Sequence, residues 1–203
     1  MITQLLREKF RQHPEALHDK EVMGLTGVIL PNSGVEVLRY LDMSVDELKA
    51  EGFTEADAIG IKAIKEMAVR YLSQRMTKRD TLTSPQRVVD FLRMSLVGLP
   101  HEAFAVVFLN TQNEVITHEV INEGTIDQVA VYPRRIIEKA LANHAAGIIV
   151  SHNHPSGYTE PSEEDKRLTR SLKDAAHLLD IRLLDHIIVG KSGYFSFREG
   201  GIL

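Results

Sequence analysis

The first notable absence in this sequence is cysteine, of which the chain has none. Neither a disulfide framework nor a zinc site made of thiolates is therefore possible. Long apolar runs are missing too, because the stretch at 103–109 is far shorter than the ~20 residues that a membrane-spanning helix needs. These absences argue against an exported, disulfide-stabilised protein and against a membrane partner. A cytoplasmic protein is expected.

An excess of basic residues is absent as well. The chain has 24 Lys and Arg against 28 Asp and Glu, which gives a formal net charge of −4. Neither the first 80 residues nor the remainder is net positive. Domains that rely on electrostatic attraction to nucleic acid usually carry a basic surface, so composition gives no sign of such a domain.

What the chain does contain is the composition of an ordinary globular protein, with 43% hydrophobic and 26% charged residues. Its 203 residues suffice for two small domains. Residues 1–78 lack strand-like alternation and predict a small all-α domain, whereas residues 83–203 mix helical and strand-like patterns. The short polar stretch at 77–83 is the predicted boundary between them.

The most informative stretch runs from Gly147 to Asp165. An apolar β-branched run at 148–150 predicts a buried strand, and alternation along it places His152 and His154 on one face. A Pro-Ser-Gly turn follows. Ser162 is then a predicted helix N-cap with Asp165 at the capping-box position. If the loop folds back, Asp165 meets the two imidazoles.

Two histidines and one aspartate form a set of three nitrogen and oxygen ligands. Zn²⁺ binds such ligands at ~2.0–2.2 Å, and a catalytic site keeps its fourth position for a water molecule. The ion lowers the pKa of that water to ~7. A lone His-x-His is more typical of two polar loop residues, and a lone Ser-x-x-Asp of a helix cap. Their combination at this spacing favours a zinc site.

The string His152-x-His154-x7-Ser162-x2-Asp165 resembles the signature of the JAMM (MPN+) metalloproteases. The fuller string, His-Asn-His-Pro-Ser-Gly followed by Pro-Ser and Asp, resembles the bacterial RadC-like branch of that family, over roughly residues 83–203. The resemblance implies that His152, His154 and Asp165 bind zinc. It also implies that Ser162 helps to stabilise an oxyanion and that an upstream glutamate is the general base.

The resemblance also indicates which glutamate that base is. JAMM proteins place it immediately before a buried strand, and Glu102 directly precedes the apolar run at 103–109. A solvated glutamate at the entry of a strand is the alternative for this position. The other candidate carboxylates are Glu114, Glu119, Glu123, Glu160, Glu163 and Glu164. Those in the first turn of the predicted helix after Ser162 are explained by the helix dipole.

Periodicity in the second domain predicts the order helix, two strands, helix, strand, helix, two strands. That order is an α/β sandwich with a mixed sheet, the MPN (JAB)-type fold that the resemblance implies. Asp185 and His186 interrupt the long apolar strand at 181–189. They are either groups that orient a metal ligand or interior polar residues bonded to the backbone, and the sequence leaves both readings open.

The first domain resembles the helix-hairpin-helix that precedes the catalytic domain in RadC-like proteins. Its hairpin stretch is 52–58, in which Thr54 stands where the family has a second glycine and Asp57 where it has a lysine. A side chain and a negative charge at these places both oppose contact with a phosphate. The domain is therefore expected to bind DNA weakly and to act as a scaffold or a partner-binding module.

Three functions follow as hypotheses. The leading one is a zinc-dependent metallopeptidase or isopeptidase that cleaves an amide bond in a peptide or isopeptide substrate. The second keeps the metal site but makes the protein a nuclease or a DNA-repair accessory protein of the RadC type. The third is a binding module without turnover, and the intact set of ligands argues against it.

Overall fold

The computed structural model describes residues 2–28, 30, 36–76, 85–123 and 131–203. The chain divides into two compact units, Met1–Met67 and Ala68–Leu203. The division falls inside a long helix, whereas the predicted linker at 77–83 lies outside the described residues, so the predicted boundary stays a prediction. In the described parts of the chain, no helix combines the length and the apolar character that crossing a bilayer requires.

The first unit is helical, as predicted. Its helices are α1 (Ile2–Gln12), α2 (Asp19–Leu25), α3 (Val45–Ala50) and the first part of α4 (Glu55–Met76), with 3-10 helices at Pro14–Ala16 and Val37–Asp42. They enclose a small core that includes the fully buried side chains of Tyr40, Leu48, Ala58 and Ile61. Helix α3 begins with a capping box in which Ser44 Oγ accepts from Glu47 N at 3.2 Å and Ser44 N donates to the Glu47 carboxylate at 2.7 Å.

The stretch predicted to form a hairpin includes the connection between α3 and α4. Gly52 has φ of +99°, a left-handed conformation that glycine adopts without strain. Thr54 precedes α4, where its Oγ1 accepts from Asp57 N at 3.1 Å and donates to Asp57 Oδ2 at 2.6 Å. Glu55 and Asp57 add two carboxylates to the first turn. A phosphate approaching this helix N-terminus would therefore meet negative charge and an N–H group that is already bonded.

We therefore expect the full-length chain to bind duplex DNA only weakly. Fluorescence anisotropy between about 50 and 200 mM salt should give a shallow dependence of log K on log salt, because few phosphates are contacted. The double variant Thr54→Gly/Asp57→Lys should bind more tightly and with a steeper slope. Tight binding by the unaltered chain, with a slope that implies several phosphate contacts, would contradict this reading of the hairpin.

The second unit contains a five-stranded mixed sheet among its described residues. Its elements are α5 (Pro85–Leu96), β1 (Ala103–Leu109), β2 (Val115–Glu123), α6 (Pro133–Ala142), β3 (Gly147–Asn153), α7 (Glu163–His177), β4 (Arg182–Gly190) and β5 (Gly193–Ser196). The spatial order is β2-β1-β3-β4-β5, with β3 and β4 parallel and the other neighbours antiparallel. The predicted order of elements and the mixed α/β fold are confirmed.

Helices cover both faces of this sheet. Every residue of β1 is buried, and alternate side chains enter two different cores, one under α5 and one under α6 and α7. Ile148 and Val150 of β3 belong to the α6/α7 core. Because side chains alternate along a strand, His152 lies on that same face at the end of β3.

A bulge in β4 changes the alternation of that strand. Ile148 of β3 lies opposite Leu183, but Ile149 lies opposite Asp185, so Leu184 is an extra residue on β4. Beyond it, His186 lies opposite Val150, on the α6/α7 face. Bulges next to functional sites often re-aim a side chain in this way. The strand continues without a break through the two polar residues at which the sequence pattern appeared interrupted.

Candidate metal centre

The three residues that the motif predicts as metal ligands converge in the structure. His152 Nε2 lies 3.0 Å from His154 Nε2 and 3.2 Å from Asp165 Oδ1, and His154 Nε2 lies 3.7 Å from Asp165 Oδ2. One ligand atom from each residue can be chosen so that all three lie within 4.8 Å of one another. This arrangement suits a single metal ion held by two imidazoles and a carboxylate.

Each histidine is held by a different part of the fold. His152 is 5% exposed and its ring stacks on Phe104 of β1, with centroids 6.1 Å apart and planes 7° apart. His154 follows β3, donates its backbone N–H to Val189 O at 3.0 Å, and has its Nδ1 2.9 Å from Tyr158 O. Because a carbonyl oxygen can only accept, this contact places a proton on His154 Nδ1 and leaves Nε2 free for a ligand.

The loop that carries Tyr158 packs closely on the end of β4. A Cβ atom on Gly190 would lie 2.4 Å from Gly157 O and 2.9 Å from Thr159 Cγ2, so position 190 has no room for a side chain. Gly157 itself has φ of +87°. The two glycines therefore allow the loop to fold back beside β4 and to bring Tyr158 O to the ring of His154.

Asp165 is oriented by the cap of α7. Ser162 Oγ accepts from Asp165 N at 3.1 Å, while Ser162 N and Ser162 Oγ donate to Asp165 Oδ2 at 2.8 and 2.6 Å. The predicted capping box is thus present, and it holds the carboxylate with Oδ1 towards His152. The predicted role of Ser162 as an oxyanion donor stays a prediction, since its hydroxyl proton is bonded to Asp165 here.

The charges at this centre favour a cation. Burial raises the pKa of Asp165, but the neighbouring imidazoles of His152 and His154 and the Ser162 hydroxyl outweigh burial and hold that pKa well below its usual range. The bond to Asp165 raises the pKa of His154 above its ordinary value despite burial, with help from Tyr158 O and the charge of Glu102. The carboxylate therefore stabilises a proton on His154 in competition with a metal ion.

This competition predicts how metal binding depends on pH. Because the pKa of His154 is raised, its imidazolium persists to a higher pH than an ordinary histidine and must lose its proton before Nε2 can bind a metal ion. The affinity should therefore increase as pH rises through that raised pKa and level off above it. Competition with a chelator at a series of pH values from about 5 to 8 measures this. An affinity that is the same at every pH would show that no proton is displaced.

Glu102, the predicted general base, lies in the segment just before β1. Phe104 is opposite His152 in the antiparallel pairing of β1 with β3, so the segment before β1 runs alongside the end of β3. Asn153 fixes that segment, since its Oδ1 accepts from Ala103 N at 2.7 Å and its Nδ2 donates to His101 O at 3.2 Å. Both atoms flank Glu102. Its half-buried side chain is near enough for its charge to raise the pKa of His154.

The competing glutamates of α7 are placed differently. Glu163 is exposed and pairs with Lys166 at 2.7 Å, and Glu164 is exposed and pairs with Arg167 at 3.5 Å. The Lys166 partner lowers the pKa of Glu163. Both pairs are exposed to solvent, and the assignment of Glu102 as the base stays a prediction.

The structure also separates the two residues whose role the sequence left open. His186 is fully buried, and its Nε2 lies 2.9 Å from His152 Nδ1. Asp185 instead accepts from Ser196 Oγ at 2.6 Å and from Arg198 N at 3.1 Å. Burial, followed by the charge of His152, lowers the pKa of His186 well below its ordinary value.

Thr169 is a residue at this centre that sequence reasoning missed. Its Oγ1 lies 2.6 Å from His186 Nδ1 and 2.6 Å from Asp165 O, and the residue is only 2% exposed. The one available signal is its spacing of four residues from Asp165, which places both on the same face of α7. That spacing occurs in every helix, so the sequence alone does not single it out.

Comparison with known proteins gives a consistent result. Residues 82–202 match the family described as RadC-like JAB domain. A UPF0758 protein of Vibrio vulnificus is 41% identical over 96% of this chain and 94% of its own length. UPF0758 proteins of Stutzerimonas stutzeri and Paracidovorax citrulli are 40% and 38% identical, over 96% and 94% of this chain and 94% and 92% of theirs. These names state no activity and no ligand.

Proposed function

Because this chain belongs to the RadC-like JAB domain family, we propose that it is a zinc-dependent hydrolase, a metallopeptidase or isopeptidase that cleaves an amide bond. The observation that carries the proposal is the convergence of His152, His154 and Asp165; the backbone on either side of Glu102 is tied to Asn153, the neighbour of His152 and His154. The family that the motif indicated is confirmed, and a metal-dependent hydrolase is consistent with it.

Zinc is the ion that this set of ligands suits best. The site offers two imidazole nitrogens and one carboxylate oxygen in a chain that has no cysteine, and three such protein ligands leave a coordination position open, as in catalytic zinc sites. A bound Zn²⁺ ion would lower the pKa of a water molecule to ~7 and polarise a carbonyl oxygen.

Glu102 has the role of general base and then general acid in this proposal. Its carboxylate takes a proton from the attacking water and returns it to the nitrogen of the leaving amine. The two hydrogen bonds from Asn153 to the residues on either side fix the backbone of Glu102. They reduce the reorganisation that proton transfer would otherwise require.

Ser162 would stabilise the oxyanion that forms on the substrate carbonyl. Its hydroxyl would have to rotate away from Asp165 Oδ2 to do so. The backbone N–H of Ser162 donates to the same Oδ2 atom at 2.8 Å. The carboxylate therefore keeps one of its two hydrogen bonds from Ser162 while the hydroxyl rotates. The cap thus both orients Asp165 and supplies a donor that can rotate.

A substrate panel tests the proposal. Full-length protein, stripped of metal and reloaded with zinc, is incubated with peptides, isopeptide-linked proteins and nucleic acids. Cleavage of an amide bond that requires zinc is expected, and Glu102→Gln should abolish it. Cleavage of nucleic acid alone would replace the peptidase proposal with the nuclease hypothesis. No cleavage of any substrate by zinc-loaded protein would favour a binding module.

A further inference from the structure

A buried series of hydrogen bonds leads away from the side of His152 that does not face the ligands. His152 Nδ1 lies 2.9 Å from His186 Nε2, His186 Nδ1 lies 2.6 Å from Thr169 Oγ1, and Thr169 Oγ1 lies 2.6 Å from Asp165 O. Every side chain in the series is at most 5% exposed. The series joins two of the three candidate ligands through groups that are not ligands themselves.

The donor and acceptor of each hydrogen bond in the series follow from the group at its end, the backbone carbonyl of Asp165. Asp165 O is a backbone carbonyl that can only accept, and the hydroxyl of Thr169 has a single proton. At 2.6 Å the hydroxyl must donate that proton to the carbonyl, so the contact between Thr169 Oγ1 and His186 Nδ1 requires His186 to donate. The proton of a neutral His186 ring is therefore on Nδ1.

The same reasoning then fixes the proton of His152. A neutral His186 ring with its proton on Nδ1 has a lone pair on Nε2, so it accepts from His152 Nδ1. His186 is enclosed by aromatic rings, stacked on Phe197 with centroids 4.7 Å apart and against the edge of Phe104 at 5.9 Å. An apolar enclosure disfavours a charged ring. The lone pair of His152 Nε2 is thus left facing His154 and Asp165.

We propose that His186 and Thr169 are positioning residues that fix the tautomer of His152, so that its Nε2 presents a lone pair to the metal ion. The inference rests on the metal site of the proposed function. The opposite tautomer would place a proton on Nε2, and metal binding would first require it to move. His154 obtains the same tautomer from the backbone carbonyl of Tyr158, whereas His152 depends on side chains supplied by β4 and α7.

The bulge in β4 and the first turns of α7 both contribute to this arrangement. The extra residue Leu184 brings His186 to the α6/α7 face. The spacing of four residues between Asp165 and Thr169 lets the hydroxyl reach back to the carbonyl of the third ligand. A metal-bound histidine commonly donates the N–H of its other ring nitrogen to a carboxylate or a carbonyl. Here a second imidazole takes that place and transfers the constraint to α7.

The test compares two substitutions at the end of the series. Thr169→Val keeps the shape of the side chain but removes the hydroxyl, while Thr169→Ser keeps the hydroxyl and serves as the matched control. Histidine ¹⁵N labelling and long-range NMR of the metal-free, full-length protein report which ring nitrogen of His152 is protonated, at an alkaline pH where the rings are neutral. Competition with a chelator measures zinc affinity, and thermal unfolding monitors the fold.

We expect His152 to carry its proton on Nδ1 in the unaltered chain and in Thr169→Ser. In Thr169→Val a mixture of tautomers should appear, and zinc affinity should fall roughly 10–100-fold, with the fold retained. Protonation of His152 at Nε2 in the unaltered metal-free protein would overturn the proposal. Equal zinc affinity of the Val and Ser variants would also overturn it. Because neither measurement uses a substrate, a failure of the peptidase proposal would leave this result intact.

Discussion

The substitution His154→Ala is expected to remove the metal ion from the purified protein and to abolish metal-dependent turnover. His154 supplies one of three candidate ligands, and its Nε2 lies within 3.7 Å of the other two ligand atoms. Zinc sites in proteins normally use three or four protein ligands, so a site left with two is expected to lose the ion. Elemental analysis should fall from about one zinc per chain to near zero.

The same variant should remain folded. The second unit has two apolar cores built on both faces of its sheet, so its folding does not depend on the metal as that of a zinc finger does. Circular dichroism should match that of the unaltered chain. His177→Ala is the matched control, because His177 is exposed at the end of α7. This variant should keep its zinc. Equal zinc content in His154→Ala and His177→Ala would remove His154 from the ligand set.

Glutamine at position 102 should separate chemistry from metal binding. The amide keeps the size of the carboxylate but cannot accept a proton from water. We therefore expect Glu102→Gln to retain its zinc and to lose roughly 10²–10⁴-fold in kcat, which is the usual contribution of general acid–base catalysis. Steady-state kinetics on a substrate found in the panel, together with elemental analysis, measure both quantities.

Glu163→Gln is the matched control for that experiment. Glu163 is exposed and pairs with Lys166 at 2.7 Å, so its loss should leave kcat near that of the unaltered chain. If Glu102→Gln sheds its zinc, Glu102 is a ligand. If it hydrolyses the substrate at the unaltered rate, Glu102 is a bystander, and the base must be sought among Glu160, Glu163 and Glu164.

Local signals explain why so much of this fold and centre could be predicted. The order of helices and strands follows from hydrophobic periodicity, which spans only a few residues. The pair His152 and His154 and the capping box of Ser162 and Asp165 are also short patterns. Each needs only its own strand or helix to place its side chains.

The supporting residues could not be predicted because they depend on pairing between distant strands. Asn153 holds the segment before β1 through a hydrogen bond that spans 50 residues of sequence. His186 reaches His152 because Leu184 is left out of the pairing of β4 with β3 as a bulge. A regular alternation would place it on the other face, so a pattern of period two gives the wrong answer there. Thr169 carries no signal beyond its helical spacing.

The bulge at Leu184 decides which face of the sheet each of the neighbouring residues Asp185 and His186 lies on. With Leu184 present, an imidazole lies beside His152 and a carboxylate faces the opposite side of the sheet. If β4 kept Leu184 but paired with β3 regularly from Leu183 onward, without the bulge, Asp185 and His186 would exchange faces, because neighbouring positions on a strand face opposite ways. Asp185 would then accept the proton of His152 Nδ1 as an anion, the partner that metal-binding histidines often have. The chain thus holds a neutral and a charged partner for His152 one register step apart, and the charge beside the candidate metal centre depends on the register of β4 as much as on the residues in it.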